Sequence, residues 1–399
     1  MLNNQHKWIY IYLFFTMCIG SFVLVEPSPS DLFMILLIIG CLFYGFYTVN
    51  EETVFPLIVL SLFLISNLIS LFFVREPFTA VRYSGITFYL AFSWVCFVSL
   101  GHHFKFSLLQ IVSKGYLISA VFAVLIGIAA YFNHLPMSDD FLMFGRVKST
   151  FKDPNVFGPF LVMPALLAIS LVEHDGLKVR DKILSFSIFL LLLTGIILSF
   201  SRAAWGNFAL SFFLYVIIVK REFLMKRIKT IFILLLIGLP CLIYFIQTPI
   251  VEDLFSSRLM IKSYDSDRFT TQKEAIETGF INPLGIGPGH SELVFQYAPH
   301  SLYARLFTEN GLIGILSFTI FFIYSTWKSF TNYWRSRGGY SVLFIVIFAS
   351  LCGLAFNSFF IDTLHWRHLW IILALAYFPV FNDEKQTGEI LSSGSRRLL

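Results

Sequence analysis

Twelve apolar runs divide the chain, near Trp8–Val25, Leu32–Val49, Val54–Val74, Tyr83–Leu100, Leu108–Phe132, Val156–Val172, Ile183–Phe200, Ala203–Val219, Ile228–Gln247, Ser301–Trp327, Tyr340–Phe360 and Leu364–Phe381. About 20 consecutive apolar residues cross a bilayer as a helix, because a helix bonds all its backbone polar groups internally. Only 13% of the 399 residues are charged and 57% are hydrophobic, against roughly a quarter charged in soluble domains. A water-soluble domain has too little interior to hide that apolar surface. The expectation is an all-α polytopic membrane protein, a bundle of about 12 transmembrane helices.

Lysine and arginine in the short loops set the orientation. With both termini in the cytoplasm, the inner loops hold Lys7, Lys105, the KVRDK turn at Lys178–Lys182, the KREFLMKRIK run at Lys220–Lys229, Lys328, Arg335 and Arg337. The tail adds Lys385, Arg396 and Arg397. The opposite loops hold fewer cations and begin with the acidic EPSPSD at Glu26–Asp31. The chain then reads as one transmembrane domain over residues 1–381, with a long outer loop at 248–300 between spans nine and ten, and a polar cytoplasmic tail at 382–399. Within that loop IVEDLFSSRLMIK and RFTTQKEAIETG carry apolar residues at helical spacing, as interfacial amphipathic helices do. The first span has no small-residue cleavage site after it and reads as retained. All five cysteines fall in apolar runs without C-x-x-C spacing, so neither a disulfide framework nor a metal site is indicated. A net charge of +5 spread over the loops suggests no nucleic-acid partner.

Three outer-face residues carry potential chemistry. Arg202 lies in LSFSRAAWG, between two runs so close that they form a hairpin. Taken alone it reads first as a cation snorkelling from a helix end. As an anion site, its guanidinium adds five fixed donors to the positive end of a helix dipole. Arg268 opens the amphipathic segment after YDSD, where a solvated charge is the plain alternative. His300 sits between Pro299 and the helix that starts at Ser301, and a capping role is its alternative. Together the two arginines can grip a diphosphate, each charged hydrogen bond contributing on the order of 1.5–3 kcal/mol. A neutral histidine can take a proton from a hydroxyl, which typically supplies about 10²–10⁴ in rate. A diphosphate whose charge is held leaves readily, so this chemistry calls for neither a general acid nor a metal.

GIGPG at Gly285–Gly289 lacks the Gly-Lys-Ser/Thr ending of a P-loop. It reads as a tight turn returning the loop to the membrane, with bare amides facing a ligand as the alternative. Arg305 and Glu309, four apart on one helix, are placed to neutralise one another. Asp362, His365 and His368 share a helical face that could mimic metal ligands, but Trp366 and Arg367 among them favour an interfacial anchor.

The string SRAAW after an apolar run, Arg268 in an outer loop, NPLGIGPG, and HSLYARLFTENGLIGIL together resemble the core of the bacterial O-antigen ligase and O-antigen polymerase superfamily. GRVKSTFKDPNVFGPFL, from Gly145 to Leu161, resembles the motif that precedes its sixth span. The resemblance covers roughly residues 145–316. It implies a metal-independent inverting membrane glycosyltransferase without a cofactor, in the bacterial cytoplasmic membrane. Such an enzyme moves a glycan from undecaprenyl diphosphate to a glycan, lipid or protein acceptor, alongside other polysaccharide assembly proteins. Carried over, Arg202 and Arg268 hold the donor diphosphate and His300 is the base on the acceptor hydroxyl. Arg146, Asp153 and Asn155 match the earlier motif in a supporting role, open between donor binding and architecture, with Arg305 and Glu309 as further support. Many relatives carry a tryptophan four residues after the loop arginine, where this chain has Gln272. The motifs do not separate a polymerase, towards which the reading leans, from a ligase.

Two other classes compete. A transporter also suits twelve spans, but coupled carriers use ionisable or polar groups near the midplane, and here nearly all the carboxylates lie in loops. A non-catalytic scaffold would leave Arg202, Arg268 and His300 free to vary.

Overall fold

The computed structural model describes residues 7–248, 251, 263–338 and 341–380. The segment IVEDLFSSRLMIK, but for Val251, and the tail from residue 382 lie outside the described residues. The described chain is mostly helical: α1 Lys7–Cys18, α2 Pro29–Phe43, α3 Glu51–Ser70, α4 Pro77–Tyr131, α5 Pro154–Phe160, α6 Val162–Val172, α7 Val179–Leu198, α8 Arg202–Ile217, α9 Arg221–Ile233, α10 Leu239–Ile246, α11 Ser263–Ile281, α12 Ser291–Val294, α13 Leu302–Arg335, α14 Ser341–Asn357 and α15 Arg367–Leu375. The one sheet among the described residues is a hairpin pairing Leu142 with Val147 and Met143 with Arg146. Both turn residues, Phe144 and Gly145, have positive φ (53° and 73°), as a two-residue hairpin turn requires. The turn delivers Arg146 to the interior.

Local signals start several helices. Ser28 and Asp31 form a capping box at α2, with Pro29 in its first turn, and Asn50 and Thr53 form another at α3. Within α4 the helical geometry fails at Lys105 (φ 53°, ψ −135°). Its 55 residues therefore comprise two apolar segments, matching the two runs read there. Among the described residues six helices are long and apolar enough to cross a membrane, and three more apolar helices are shorter. The expected twelve spans are thus matched by fewer full-length helices, because two runs merge in α4 and others form helices shorter than 18 residues, such as α1, α2 and α14. Large apolar side chains face outward, Phe43 at 87% and Phe72 at 86% exposure, a surface that lipid and not water would cover.

The core forms where α3 packs on α13, α14 on α8 and α13, α6 on α7, and α15 and α1 on α4. The two ends of the bundle are chemically distinct. At one end Arg227 pairs with Glu173 at 2.6 Å, Lys328 with Glu52 at 2.9 Å, and Lys220 donates to Ser336 O at 2.5 Å. These are residues of the loops read as inner, joined to each other. At the other end Arg367 pairs with Asp31, and Arg305 with Asp362, all from loops or helix ends read as outer.

Candidate functional site

The turn before α8 is built to present Arg202. Phe200 takes a left-handed conformation (φ 45°), a strain of order 1–3 kcal/mol that surrounding contacts must hold. Ser199 Oγ donates to Ile196 O at 2.6 Å and accepts from Ser201 N at 3.3 Å, while Ser201 Oγ accepts from Ala204 N at 3.3 Å and caps α8. Arg146 reaches the same turn: its Nε donates to Ser199 O at 3.0 Å, and its Nη2 to Asn155 Oδ1 at 2.8 Å. Asp153 caps α5 by accepting from Asn155 N at 2.7 Å. Gly158 of α5 lies so close to this corner that a Cβ there would stand 2.6 Å from Ala204 Cβ and 2.7 Å from Ser199 Oγ. GRVKSTFKDPNVFGPFL thus packs against the turn that leads into Arg202.

Helix α11 covers RFTTQKEAIETG as expected and continues N-terminally to Ser263. Its Thr271, Ala275 and Gly279 are buried at helical spacing, with Arg268 and Gln272 half-buried beside them. This face packs on α13, where Thr308 Oγ1 donates to Ala275 O at 2.6 Å. Gln272 Nε2 donates to His300 O at 3.0 Å. The glutamine that stands in place of tryptophan thus ties the helix of Arg268 to the backbone of His300.

His300 is fixed on its other side by the start of α13. Ser301 Oγ accepts from Ala304 N at 3.4 Å, and Leu302 N donates to Ser358 O at 2.9 Å. Burial pushes the imidazole pKa down to about 4, Arg268 and Arg305 act in the same direction, and Asp153 and Asp362 oppose them. His300 is consequently neutral at ordinary pH. Four charged groups from separate segments, Arg268, Asp153, Asp362 and Arg305, act on this one ring. Arg146 ties the Ser199 turn, which leads into Arg202, to Asn155 beside the Asp153 cap.

Arg305 and Glu309 bond at 2.9 Å, and Arg305 also holds Asp362 at 3.0 Å and Glu292 at 3.2 Å, with its guanidinium 5.0 Å from the Tyr83 ring centre. Glu309 further accepts from Gly289 N at 2.8 Å and Ser291 N at 3.2 Å. The amides of Gly285, Ile286, Gly287 and Gly289 are all bonded within the protein, and the alternative of bare GIGPG amides facing a ligand is not what the loop does. Helix α13 breaks at Gly311 (φ 68°, ψ −169°), freeing carbonyls one turn earlier. Ile286 N takes Thr308 O at 2.9 Å and Gly287 N takes Glu309 O at 3.1 Å. On the far side Ser66 Oγ donates to Asn310 O at 2.6 Å and Asn67 Nδ2 to Asn310 Oδ1 at 2.7 Å. The glycine loop completes the hydrogen bonding of a broken helix, as buried backbone groups require.

Sequence reading missed His290. It is 2% exposed, and its Nε2 accepts from both Arg75 N and Glu76 N at 3.0 Å, pinning the start of α4 to the glycine loop. Its place directly after GIGPG was the available signal. Asp362, His365 and His368 do not gather as metal ligands: Asp362 holds Arg305, His365 Nε2 bonds Thr87 Oγ1 at 3.0 Å, and among the described residues no three such side chains form a group.

Residues 187–319 match the family model for O-antigen ligase. That third of the chain is similar to O-antigen ligases, and the apolar helices around it suit an integral membrane protein. The matched segment contains Arg202, Arg268, His300, Arg305 and Glu309, and leaves Arg146, Asp153 and Asn155 outside it. No curated protein matches the chain.

Proposed function

We propose that the chain transfers a glycan from an undecaprenyl-diphosphate donor to an acceptor hydroxyl on the outer face of the cytoplasmic membrane, joining surface polysaccharide repeat units. The observation that carries this reading is His300, a neutral imidazole held beside Arg268 through the Gln272 bond, within the segment that matches O-antigen ligase. Arg202 and Arg268 bind the diphosphate. The acceptor oxygen attacks the anomeric carbon opposite the departing diphosphate, inverting the centre, and His300 removes the acceptor proton. No metal enters this scheme.

The low basicity of His300 fits the order of events. Arg268 is one cause of it, and a bound diphosphate offsets that positive field, so the base strengthens once donor is in place. In the membrane, α4 counts as two passes divided at Lys105, the shorter helices complete twelve, and the end holding Arg227, Lys220 and Lys328 faces the cytoplasm with both termini. A ligase acting on a lipid or protein acceptor is the second reading, favoured by the description of the matching family. A transporter is disfavoured because Glu309, buried within α13, is held by Arg305 and two loop amides and is not free to cycle.

The test is purified protein in lipid nanodiscs with a lipid-linked repeat unit. A ladder of chain lengths supports polymerisation, and transfer to a different acceptor supports ligation. Arg202→Ala, Arg268→Ala and His300→Ala each abolish transfer in protein that still inserts; full activity in His300→Ala removes the proposed base.

A further inference from the structure

Most of the chain's net charge sits away from the candidate site. The segments Glu173–Lys182 and Lys220–Lys229 hold eight lysines and arginines against four carboxylates, an excess of four where the whole chain has a net +5. The fold brings both segments to one corner of the bundle. Arg227 of α9 bonds the buried Glu173 at 2.6 Å, and Lys226 bonds Asp175 in the same loop. Lys226 and, from α7, Lys182 hold Asp175 below the usual carboxylate range, so cations of both helices lie around one short loop. These bonds engage two of the four carboxylates. Lys178, Arg180, Lys182, Arg221 and Lys229 form no ion pair among the described residues, and only Asp181 and Glu222 remain beside them.

Depth and neighbours narrow what this excess meets. Helix α9 runs through the π-helical turn Leu234–Gly238 into α10, 26 residues from Arg221 to Ile246, or about 39 Å against about 30 Å of hydrocarbon. With Ile246 at the opposite boundary, the surplus of about 9 Å holds Arg221 to Lys226 at headgroup depth, and Lys229 reaches that level by extending along the helix. Phe223, Arg227 and Thr230 form the buried stripe of α9, so Leu224, Met225 and Ile228 lie exposed among those cations; Val179, Ile183 and Leu184 do the same on α7. A soluble anion leaves these apolar side chains in water. A phospholipid covers them with its chains while its phosphate meets the cations. We propose that this corner binds an acidic phospholipid, its phosphate between the cations of α7 and α9 and its acyl chains over Ile183 and Ile228. The assignment does not rest on the transfer reading above.

Native mass spectrometry of delipidated protein, given equal amounts of phosphatidylcholine, phosphatidylglycerol and diphosphatidylglycerol, tests it. The parent retains an acidic lipid over phosphatidylcholine by roughly tenfold or more, and the preference shrinks as salt rises from about 0.05 to 0.5 M. Arg180→Gln, Lys182→Gln, Arg221→Gln and Lys229→Gln combined, which break no ion pair among the described residues, abolish the preference. Arg75→Gln with Arg82→Gln, two exposed arginines at the opposite end of the bundle, keeps it. Equal retention of phosphatidylcholine, a preference surviving in the fourfold variant, or its loss from the Arg75 and Arg82 variant overturns the proposal. So does displacement of the lipid by glycerol 3-phosphate, which marks a site for free phosphate. Should the fourfold variant fail to fold, the salt titration of the parent decides, and a preference unchanged across it overturns the proposal.

Discussion

Replacing Gly311 by alanine tests whether the break in α13 is a built feature. At φ 68° and ψ −169° the backbone occupies a region that is essentially glycine's, and alanine there costs about 1–3 kcal/mol in conformation alone. The added Cβ would also stand 2.2 Å from Pro283 O and 2.7 Å from Leu284 C, backbone atoms that cannot swing aside as a side chain can. To admit it, the glycine loop must draw back from the bonds Leu312 N to Pro283 O, Ile286 N to Thr308 O and Gly287 N to Glu309 O. Each contributes about 0.5–1.5 kcal/mol, and losing two brings the total to about 2–6 kcal/mol. Thermal unfolding in nanodiscs, followed by tryptophan fluorescence, reads the effect. Gly40→Ala is the control, because nothing lies within 4 Å of its added Cβ and a helical alanine gains up to about 1 kcal/mol over glycine. The two substitutions should therefore move stability in opposite directions. A Gly311→Ala protein that melts at or above the parent refutes the claim that loop and helix are fitted to one another.

Gln272→Ala removes the bond to His300 O and should slow transfer by about 2–10-fold through kcat, at about 0.5–1.5 kcal/mol; an unchanged kcat shows that the bond does not position the base. Because His300 must be neutral to accept a proton and its pKa is about 4, kcat/KM should hold as pH falls to about 5 and decline only through about 4, whereas an acid limb near the ordinary histidine value of about 6.5 contradicts its described surroundings. Arg146→Lys cannot make both the Ser199 and Asn155 bonds in the same fork geometry, so stability and transfer should fall together; transfer lost at full stability would instead make Arg146 a ligand of the donor.

Where partners lie close in the chain, the sequence was readable. Arg305 and Glu309 meet because four residues is one helical turn, and Ser301 starts α13 because its hydroxyl caps it. The amphipathic segment of Arg268 is likewise a helix with one buried face. What stayed hidden depends on distant partners. The Asn310-Gly311 pair is a local breaker signal, but the loop that completes the break is folded against it by tertiary contacts, and His290 gains its meaning from Arg75 and Glu76 far earlier in the chain. The glycine loop was correctly read as a turn, but composition could not say whose carbonyls its amides meet. The break at Lys105 was legible as the polar gap between two apolar runs, whereas which runs make full-length helices depends on packing that apolar composition alone does not encode.

The mutual bonding of the glycine loop and the broken helix also bears on how the protein is made. The loop residues leave the ribosome before Thr308, Glu309 and Asn310, so their amides have no protein partner until the following span has been synthesised and inserted. Assembly of this region must wait for that later helix, and a nascent chain arrested before Gly311 would hold Arg268 and the loop unfastened. Biogenesis thereby orders the parts: the cation is delivered first, and the element that locks it beside the histidine arrives last.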